Sequence, residues 1–347
     1  MKKTTKRVMV GDVAVGGDAP VVIQSMLSVP SNDIEGNIIQ AKRLEAAGCQ
    51  IIRTAVPDES AVKLVSALKN AVSMPVVADI HFDYRLAIKC AEAGVDKIRI
   101  NPGNIGSDDR VKAVADVCLE RNIPIRIGVN SGSLEKNILH KYGAPTAKAL
   151  VESAAYHAGL LEKFGFDNIV LSLKSSDLKT MIAAYRLASE RFDYPLHLGV
   201  TEAGTARSGL IKSAVGIGSL LADGIGDTIR VSLTADPVEE IRAARDILRA
   251  LSFEGSGPQV ISCPTCGRTR IDLAALANEV EERLAGCTRD IKVAVMGCVV
   301  NGPGEAREAD FGIAGGEGCG LIFSHGEILG KYPEDKLVDE LMKRIEE

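Results

Sequence analysis

The stretch PVVADIHFDYRLAIKCAEAGVDKIRIN, residues 75–101, contains one complete unit of the fold. Pro75–Ile80 is a short apolar run opened by a proline, the pattern of a buried strand. YRLAIKCAEAG follows with apolar residues at helical spacing and ends on Gly94, the residue type expected just past a helix C-terminus. Lys97–Ile100 then begins a second apolar run. A helical pattern between two short buried strands implies that the strands run parallel.

The same unit repeats on both sides. Strand patterns at Val21–Gln24, Gln50–Arg53, Pro124–Val129, Asn168–Leu173, Pro195–Val200 and Thr228–Leu233 bring the set to eight, each followed by a helical pattern. The helical patterns NIIQAKRLEAAG and DDRVKAVADVCLER stop at Gly48 and Asn122. Eight βα units in about 250 residues is the arithmetic of a (β/α)8 TIM barrel. An open doubly wound sheet is the competing arrangement. The absence of a G-x-G-x-x-G turn after the first strand favours the barrel.

Past Leu251 the pattern breaks at SFEGSGP, a Gly/Ser/Pro linker. The chain therefore reads as two domains, residues 1–252 and 258–347. The second is a small α/β piece. It is expected to have a strand ending at Ile261, a helix over Asp272–Leu284, a strand over Ile291–Met296, a glycine-rich β segment over Phe311–Ser324 and a last helix over Pro333–Ile345. GGEGCG, within that β segment, reads as a hairpin turn rather than a nucleotide loop.

Composition narrows the function classes. The chain has 347 residues with 41 basic and 46 acidic side chains, a formal charge of −5. That gives no global case for binding nucleic acid or membrane, although a local basic pocket remains open. The N-terminal segment is basic but leads into no long apolar run, so a soluble cytoplasmic protein is expected. Eight cysteines in a reducing compartment argue for free thiols or metal ligands over disulfides.

Five of those cysteines lie in the second domain. Cys263 and Cys266 form C-x2-C in SCPTCGRT, a spacing that lets two sulfurs converge on one metal centre. Cys298 ends an apolar strand pattern in GCVVNGPGEARE and can be aimed back at that turn. Candidates for a fourth ligand are Cys287, Cys319 and Glu305. Three thiolates and an oxygen would suit an iron–sulfur cluster with one differentiated iron, because a carboxylate is a harder, more exchangeable ligand. Structural zinc suits the same spacing. Cys49, Cys90 and Cys118 fall in barrel helices and read as small buried hydrophobes.

On a (β/α)8 barrel, chemistry sits at the C-terminal ends of the strands. Those ends supply Gln24 and Ser25, Arg53, Asp79 and His81, Arg99 and Asn101, Arg126 and Asn130, Ser172 and Lys174, Thr201 and Glu202, and Arg230 and Ser232. Four arginines and a lysine would converge on one mouth. Such a group repels itself unless an anion sits among it, and guanidinium forks match phosphate oxygens. A multiply charged phosphorylated substrate is therefore expected. No G-x-x-x-x-G-K-[ST] loop is present, which argues against nucleotide hydrolysis. Glu202, in GVTEAG, stands where a general acid or a charge stabiliser would be useful. His81 alone is a weak signal.

The linker bears on assembly. The last barrel helix runs away from the strand C-termini for about 24 Å. The linker reaches at most about 25 Å. Folding the second domain back over its own mouth would use all of that reach. The expected arrangement is a head-to-tail homodimer in which each second domain caps its partner's barrel.

Together, SCPTCGRT, MGCVVNGPGEAREAD, ADIHFDYRLA, IRINPGNIG, PIRIGVNSGSL and HLGVTEAG resemble the 4-hydroxy-3-methylbut-2-enyl diphosphate synthases of the non-mevalonate isoprenoid pathway, in their short bacterial form. The resemblance implies one 4Fe–4S cluster per chain, held by Cys263, Cys266, Cys298 and Glu305. It implies 2-C-methyl-D-erythritol 2,4-cyclodiphosphate as substrate, opened and dehydroxylated with two electrons to the allylic diphosphate. It assigns the diphosphate to Arg53, Arg99, Arg126, Asn130 and Lys174, and protonation of the departing hydroxyl to Glu202. It also implies a flavodoxin or ferredoxin electron donor and the head-to-tail dimer. Two rivals remain: another dehydratase or radical enzyme with a differentiated cluster, and a barrel phosphosugar enzyme with a zinc module.

Overall fold

The computed structural model describes residues 2–299, 304 and 306–347. The chain forms two compact units, Met1–Ile247 and Leu248–Glu347.

In the first unit a hairpin of β1 (Val8–Val10) and β2 (Val13–Val15) precedes eight parallel strands. These are β3 (Val22–Met26), β4 (Ile51–Ala55), β5 (Val76–Asp79), β6 (Lys97–Ile100), β7 (Ile125–Asn130), β8 (Ile169–Lys174), β9 (His197–Leu198) and β10 (Thr228–Ile229). Their order is β8-β7-β6-β5-β4-β3-β10-β9. A bridge between Leu171 and Leu196, with the Leu171 N–H donating to Pro195 O at 2.9 Å, joins the two ends and closes the barrel. No helix among the described residues is long and apolar enough to cross a membrane.

The helices between the strands are α1 (Ile34–Ala46), α2 (Val62–Ala71), α3 (Tyr84–Glu92), α4 (Asp108–Glu120), α5 (Lys136–Tyr142), α6 (Ala147–Lys163), α7 (Leu178–Arg191), α8 (Ala206–Ala222) and α9 (Pro237–Ala250). The α3 unit shows why they form. Asp83 caps the first turn by accepting from the Arg85 N–H, a device worth about 1 kcal/mol. Leu86, Ala87, Cys90 and Ala91 make the buried stripe. Gly94 then turns left-handed at φ 86°, as Gly48 does at 93° and Asn122 at 55°, so all three expected stops end their helices this way. Cys90 and Cys118 are buried in helices, whereas Cys49, also buried, lies in the turn between α1 and β4 rather than in a helix.

What fills this barrel decides what it can do. Val10 and Val15 of the hairpin pack against Val22, Ile51 and Val77, the inward residues at the strands' N-terminal ends. This apolar cluster plugs the bottom. Beside and beyond that cluster the interior turns polar: Gln24, Arg53, Asp79, Lys97, Arg99, Arg126, Ser172, Lys174, His197 and Thr228 are all buried. Barrels of this class are usually filled there with branched aliphatic side chains.

The second unit is a five-stranded mixed sheet. It orders β11 (Gln259–Ser262), β12 (Lys292–Met296), β13 (Phe311–Gly316), β14 (Cys319–Ser324) and β15 (Glu327–Pro333), the first three parallel and the last two antiparallel. Helices α10 (Leu273–Leu284) and α11 (Leu337–Glu346) cover one face over Val293, Val295, Ile313 and Ile322. A smaller cluster of Ala294, Met296, Ala306, Ala309, Ala314 and Phe323 occupies the other. GGEGCG is the β13–β14 hairpin turn. The expected last helix over Pro333–Ile345 is corrected: β15 runs on to Pro333 as an exposed edge strand, and the helix begins at Leu337.

Candidate active site: a cationic barrel interior and a cysteine loop

Alternation along each barrel strand sends every second side chain inward. In β5 this places Asp79 beside Arg99 of β6, its cross-strand partner, and near Arg53 of β4. Arg99 Nη1 donates to Asp79 Oδ1 at 3.0 Å, and Arg53 Nε lies 3.6 Å from Oδ2. His81 Nε2 is 3.6 Å from the same oxygen. Burial alone would raise the Asp79 carboxyl, but Arg53, the His81 hydrogen bond and Arg99 together hold it far below the usual carboxylate range.

The basic groups are poorly matched. Arg53 directs Nη2 at the Met26 sulfur at 2.7 Å, a weak acceptor, and burial pushes its guanidinium down to about 10 despite Asp79. Arg126 donates Nη1 to Ser172 Oγ at 3.2 Å, while its Nε and Nη2 are buried without partners. Arg99 Nε is likewise buried and unpartnered. Among the described residues Lys97 has only Gln24 Oε1, at 3.4 Å. Arg230 Nη2 stands 3.5 Å from Glu240 Oε2, a carboxylate of α9 that also accepts from the Leu233 N–H. Burial, then neighbouring arginines, drive Arg126, Lys97 and Lys174 well below their ordinary values. Among the described residues, six basic side chains thus share two carboxylates, Asp79 and Glu240. An unsatisfied buried N–H costs about 1–3 kcal/mol, so this interior is built for an anion with several oxygens.

Two glycines, one in β7 and one just after β9, seat these cations. A Cβ on Gly128 of β7 would stand 2.4 Å from Arg99 Nε, and one on Gly199 would stand 2.9 Å from Lys174 Nζ. Only a residue without a side chain lets those groups lie flat across the strand. Asn130 ends β7 opposite Lys174, and its carbonyl accepts from Ser133 Oγ at 3.4 Å. Glu202 is exposed in the loop after β9 and has φ 53°, a left-handed conformation costing roughly 1 kcal/mol or more for a residue with a side chain. Such strain in a mouth loop is the kind held at working positions.

In the second unit, Cys263 follows β11 and accepts from the Gly297 N–H at 3.3 Å. The Arg270 N–H donates to Gly297 O at 3.0 Å, which ties the C-x2-C loop to the end of β12, where Cys298 stands. The backbone and side chain of Arg268 pull the exposed Cys266 thiol below its usual value. Cys263 and Cys298 are half-buried, and all eight cysteines are free thiols. Cys287 packs against the larger apolar core, and Cys319 begins β14. Free thiols on one loop system, with a backbone N–H on sulfur, fit a thiolate-bound metal centre. No group of three ligating side chains stands at metal-binding separation among the described residues. Glu305 lies outside the described residues.

Reading the strand ends finds Arg53, Arg99, Arg126, Lys174 and Arg230, and the structure brings these together. It passes over Lys97, His197, Gly128 and Gly199. Lys97 was legible two residues before Arg99 on the same strand face, and Gly128 two residues after Arg126.

Comparison with known proteins adds independent findings. A family described as GcpE TIM-barrel domain matches residues 5–245, and one described as GcpE protein C-terminal domain matches residues 259–347. The chain is 60% identical over 345 residues to "4-hydroxy-3-methylbut-2-en-1-yl diphosphate synthase (flavodoxin)" of Clostridium perfringens (strain 13 / Type A), covering 99% of each. It is 56% identical over 347 residues to the protein of the same name from Fusobacterium nucleatum subsp. nucleatum, covering 100% of this chain and 98% of that one. Among solved structures, Yersinia pestis dihydropteroate synthase superposes with a TM-score of 0.52 at 15% identity, over 72% of this chain and 100% of that one. The 3-dehydroquinate dehydratase of Geobacillus kaustophilus HTA426 gives 0.52 at 14% identity, over 72% and 99%. These two show the barrel fold alone.

Proposed function

The chain belongs to the GcpE family of 4-hydroxy-3-methylbut-2-en-1-yl diphosphate synthases, and from that premise we propose how its own residues carry the reaction. The enzyme reductively opens 2-C-methyl-D-erythritol 2,4-cyclodiphosphate. Two electrons and a proton convert the cyclic diphosphate into (E)-4-hydroxy-3-methylbut-2-enyl diphosphate, and the lost hydroxyl leaves as water.

The observation that carries the reading is the set of buried N–H groups on Arg99, Arg126 and Arg230, unpartnered among the described residues, around two carboxylates, Asp79 and Glu240. Arg53, Arg99, Arg126 and Lys174 hold the diphosphate, and Asn130 supports it from the β7 terminus. Asp79 fixes Arg53 and Arg99 in place before substrate enters. The basic floor also stabilises the charge that collects on the phosphate oxygen released by ring opening. Glu202 delivers the proton to the departing hydroxyl. Cys263, Cys266 and Cys298, with Glu305, are the residues that would hold a 4Fe–4S cluster. When bound, that cluster supplies the low-potential electrons. The Gly297 N–H on Cys263 and the low-lying Cys266 thiol support thiolate ligation there.

A flavodoxin is the proposed donor, following the names of the relatives. A head-to-tail homodimer is proposed as well, since the short connection after α9 leaves little reach for a chain to cap itself. A cytoplasmic location is proposed too, in keeping with eight cysteines that form no disulfide.

The test is anaerobic turnover of the cyclodiphosphate with a chemical reductant, together with iron analysis. Formation of the allylic diphosphate and about four irons per chain are expected. Zinc in place of iron, with no product, would overturn the reading.

A further inference from the structure

His197 opens β9 and is completely buried inside the barrel. Two side chains fix it. Tyr185 of α7 donates its hydroxyl to His197 O at 2.5 Å and accepts from the Leu173 N–H at 3.1 Å, so the strand is clamped next to Lys174. The His197 ring Nδ1 meets Thr228 Oγ1 of β10 at 2.6 Å. Its Nε2 is buried with no partner. The charges that act on the ring are those of Arg126 of β7, Lys174 of β8, Lys97 of β6 and Arg53 of β4. Burial first, and then those four charges, keep the imidazole neutral.

Those neighbours decide the tautomer. Arginine and lysine side chains in their charged forms donate and do not accept. An Nε2–H would point a donor at donors, whereas an Nε2 lone pair can accept from them. Thr228 can take the Nδ1–H. The ring therefore carries its proton on Nδ1.

Lys174 is the natural donor to that lone pair. It lies on the neighbouring strand and crosses Gly199, two residues beyond His197 on the same face. Its ammonium has three N–H groups. A phosphate oxygen above can take some, and one directed at the floor needs an acceptor.

We propose that His197 is a positioning residue for the diphosphate site: its Nε2, unpartnered among the described residues, is the acceptor that a Lys174 N–H takes up as the ammonium turns to the substrate's phosphate. This rests on the reaction proposed above. It makes a histidine that touches no substrate an acceptor in an interior rich in donors.

Two readouts test it in the holoenzyme. With 15N-labelled histidine, one of the five rings is expected to show a protonated Nδ1 and a bare Nε2. That ring should not titrate between about pH 6 and 9, although an ordinary imidazole would. Its Nε2 signal should move when the cyclodiphosphate is added, and it should vanish in His197→Gln. In kinetics, His197→Phe is expected to raise the KM for the cyclodiphosphate about tenfold or more, the scale of one hydrogen bond to a charged group, with kcat nearly unchanged. His197→Gln, which keeps an acceptor, should recover most of that loss. An Nε2–H tautomer, a titrating ring, or unchanged KM in both variants would overturn the proposal. If His197→Phe does not fold, the tautomer and the glutamine variant decide. Wild-type protein inert toward the cyclodiphosphate would sink the reaction reading, while the tautomer stands or falls without substrate.

Discussion

Replacing Gly128 by alanine adds one methyl group at the most crowded point of the cation array. The new Cβ would stand 2.4 Å from Arg99 Nε, 2.6 Å from Nη2 and 2.9 Å from Cζ. Ordinary contact lies near ~3.5 Å, so the guanidinium must retreat by about 1 Å. It cannot do so and keep the 3.0 Å bond from Nη1 to Asp79 Oδ1. The first cost is to stability, about 1–3 kcal/mol of overpacking. For a unit of this size that is about 3–10 °C in Tm. The second is to binding. A displaced Arg99 loses a charge-assisted bond to the diphosphate, about 1.5–3 kcal/mol, which raises KM roughly 10- to 150-fold. The assay is steady-state turnover of the cyclodiphosphate with a chemical reductant, alongside a melting curve. A Gly128→Ala/Arg99→Lys double variant separates the two costs: Tm should recover, since lysine is slimmer, while KM should not. Wild-type KM together with wild-type Tm in Gly128→Ala would refute the seat.

The remaining expectations concern single groups. Asp79→Asn leaves Arg53 and Arg99 without their shared carboxylate and should cost about 3–5 kcal/mol. Because the Asp79 value is depressed on folding, its contribution is present above the unfolded value near ~4 and is lost as pH falls below it. Asp79→Asn should therefore flatten the acid limb of a stability–pH curve, and an unchanged limb would remove it as the hub. Arg126→Ala should chiefly weaken binding; equal dissociation constants for variant and wild type by calorimetry would exclude it from the diphosphate site. Glu305→Ala should abolish turnover while circular dichroism stays native, and full turnover would end its assigned role.

Much of the barrel is legible because buried parallel strands and amphipathic helices leave strong, alternating signals. Gly48, Gly94 and Asn122 mark helix ends at the left-handed positions they occupy. Weaker signals fail for physical reasons. The β1–β2 hairpin is three residues a side, too short to show a period. Strand β15 is an exposed edge, so EILGKYP carries no buried face to reveal it. The cationic mouth is legible as residue types at strand ends. Which N–H groups lack partners is not, because that depends on distances between strands far apart in sequence, such as Arg126 and Ser172. Glu202 is visible as a carboxylate, but its left-handed backbone is a property of the folded loop.

The graded filling of the barrel explains how it tolerates such a site. Burying a basic group without a partner costs several kcal/mol, and a small protein's whole stability is only about 5–15 kcal/mol. The chain concentrates that cost in one region of the barrel interior. Below it, Val10, Val15, Val22, Ile51 and Val77 form a purely apolar plug. Outside it, strand residues such as Ile52, Val76, Ile98, Ile125 and Ile127 are fully buried. These layers hold the strands rigidly enough that Arg53, Arg99 and Arg126 cannot relax toward solvent. Burial, with the neighbouring arginines, pushes Lys97 and Lys174 well below their ordinary values. An arriving diphosphate fills the unpaired N–H groups. The free energy withheld from the folded protein thereby becomes available for recognising a ligand with enough oxygens to satisfy it.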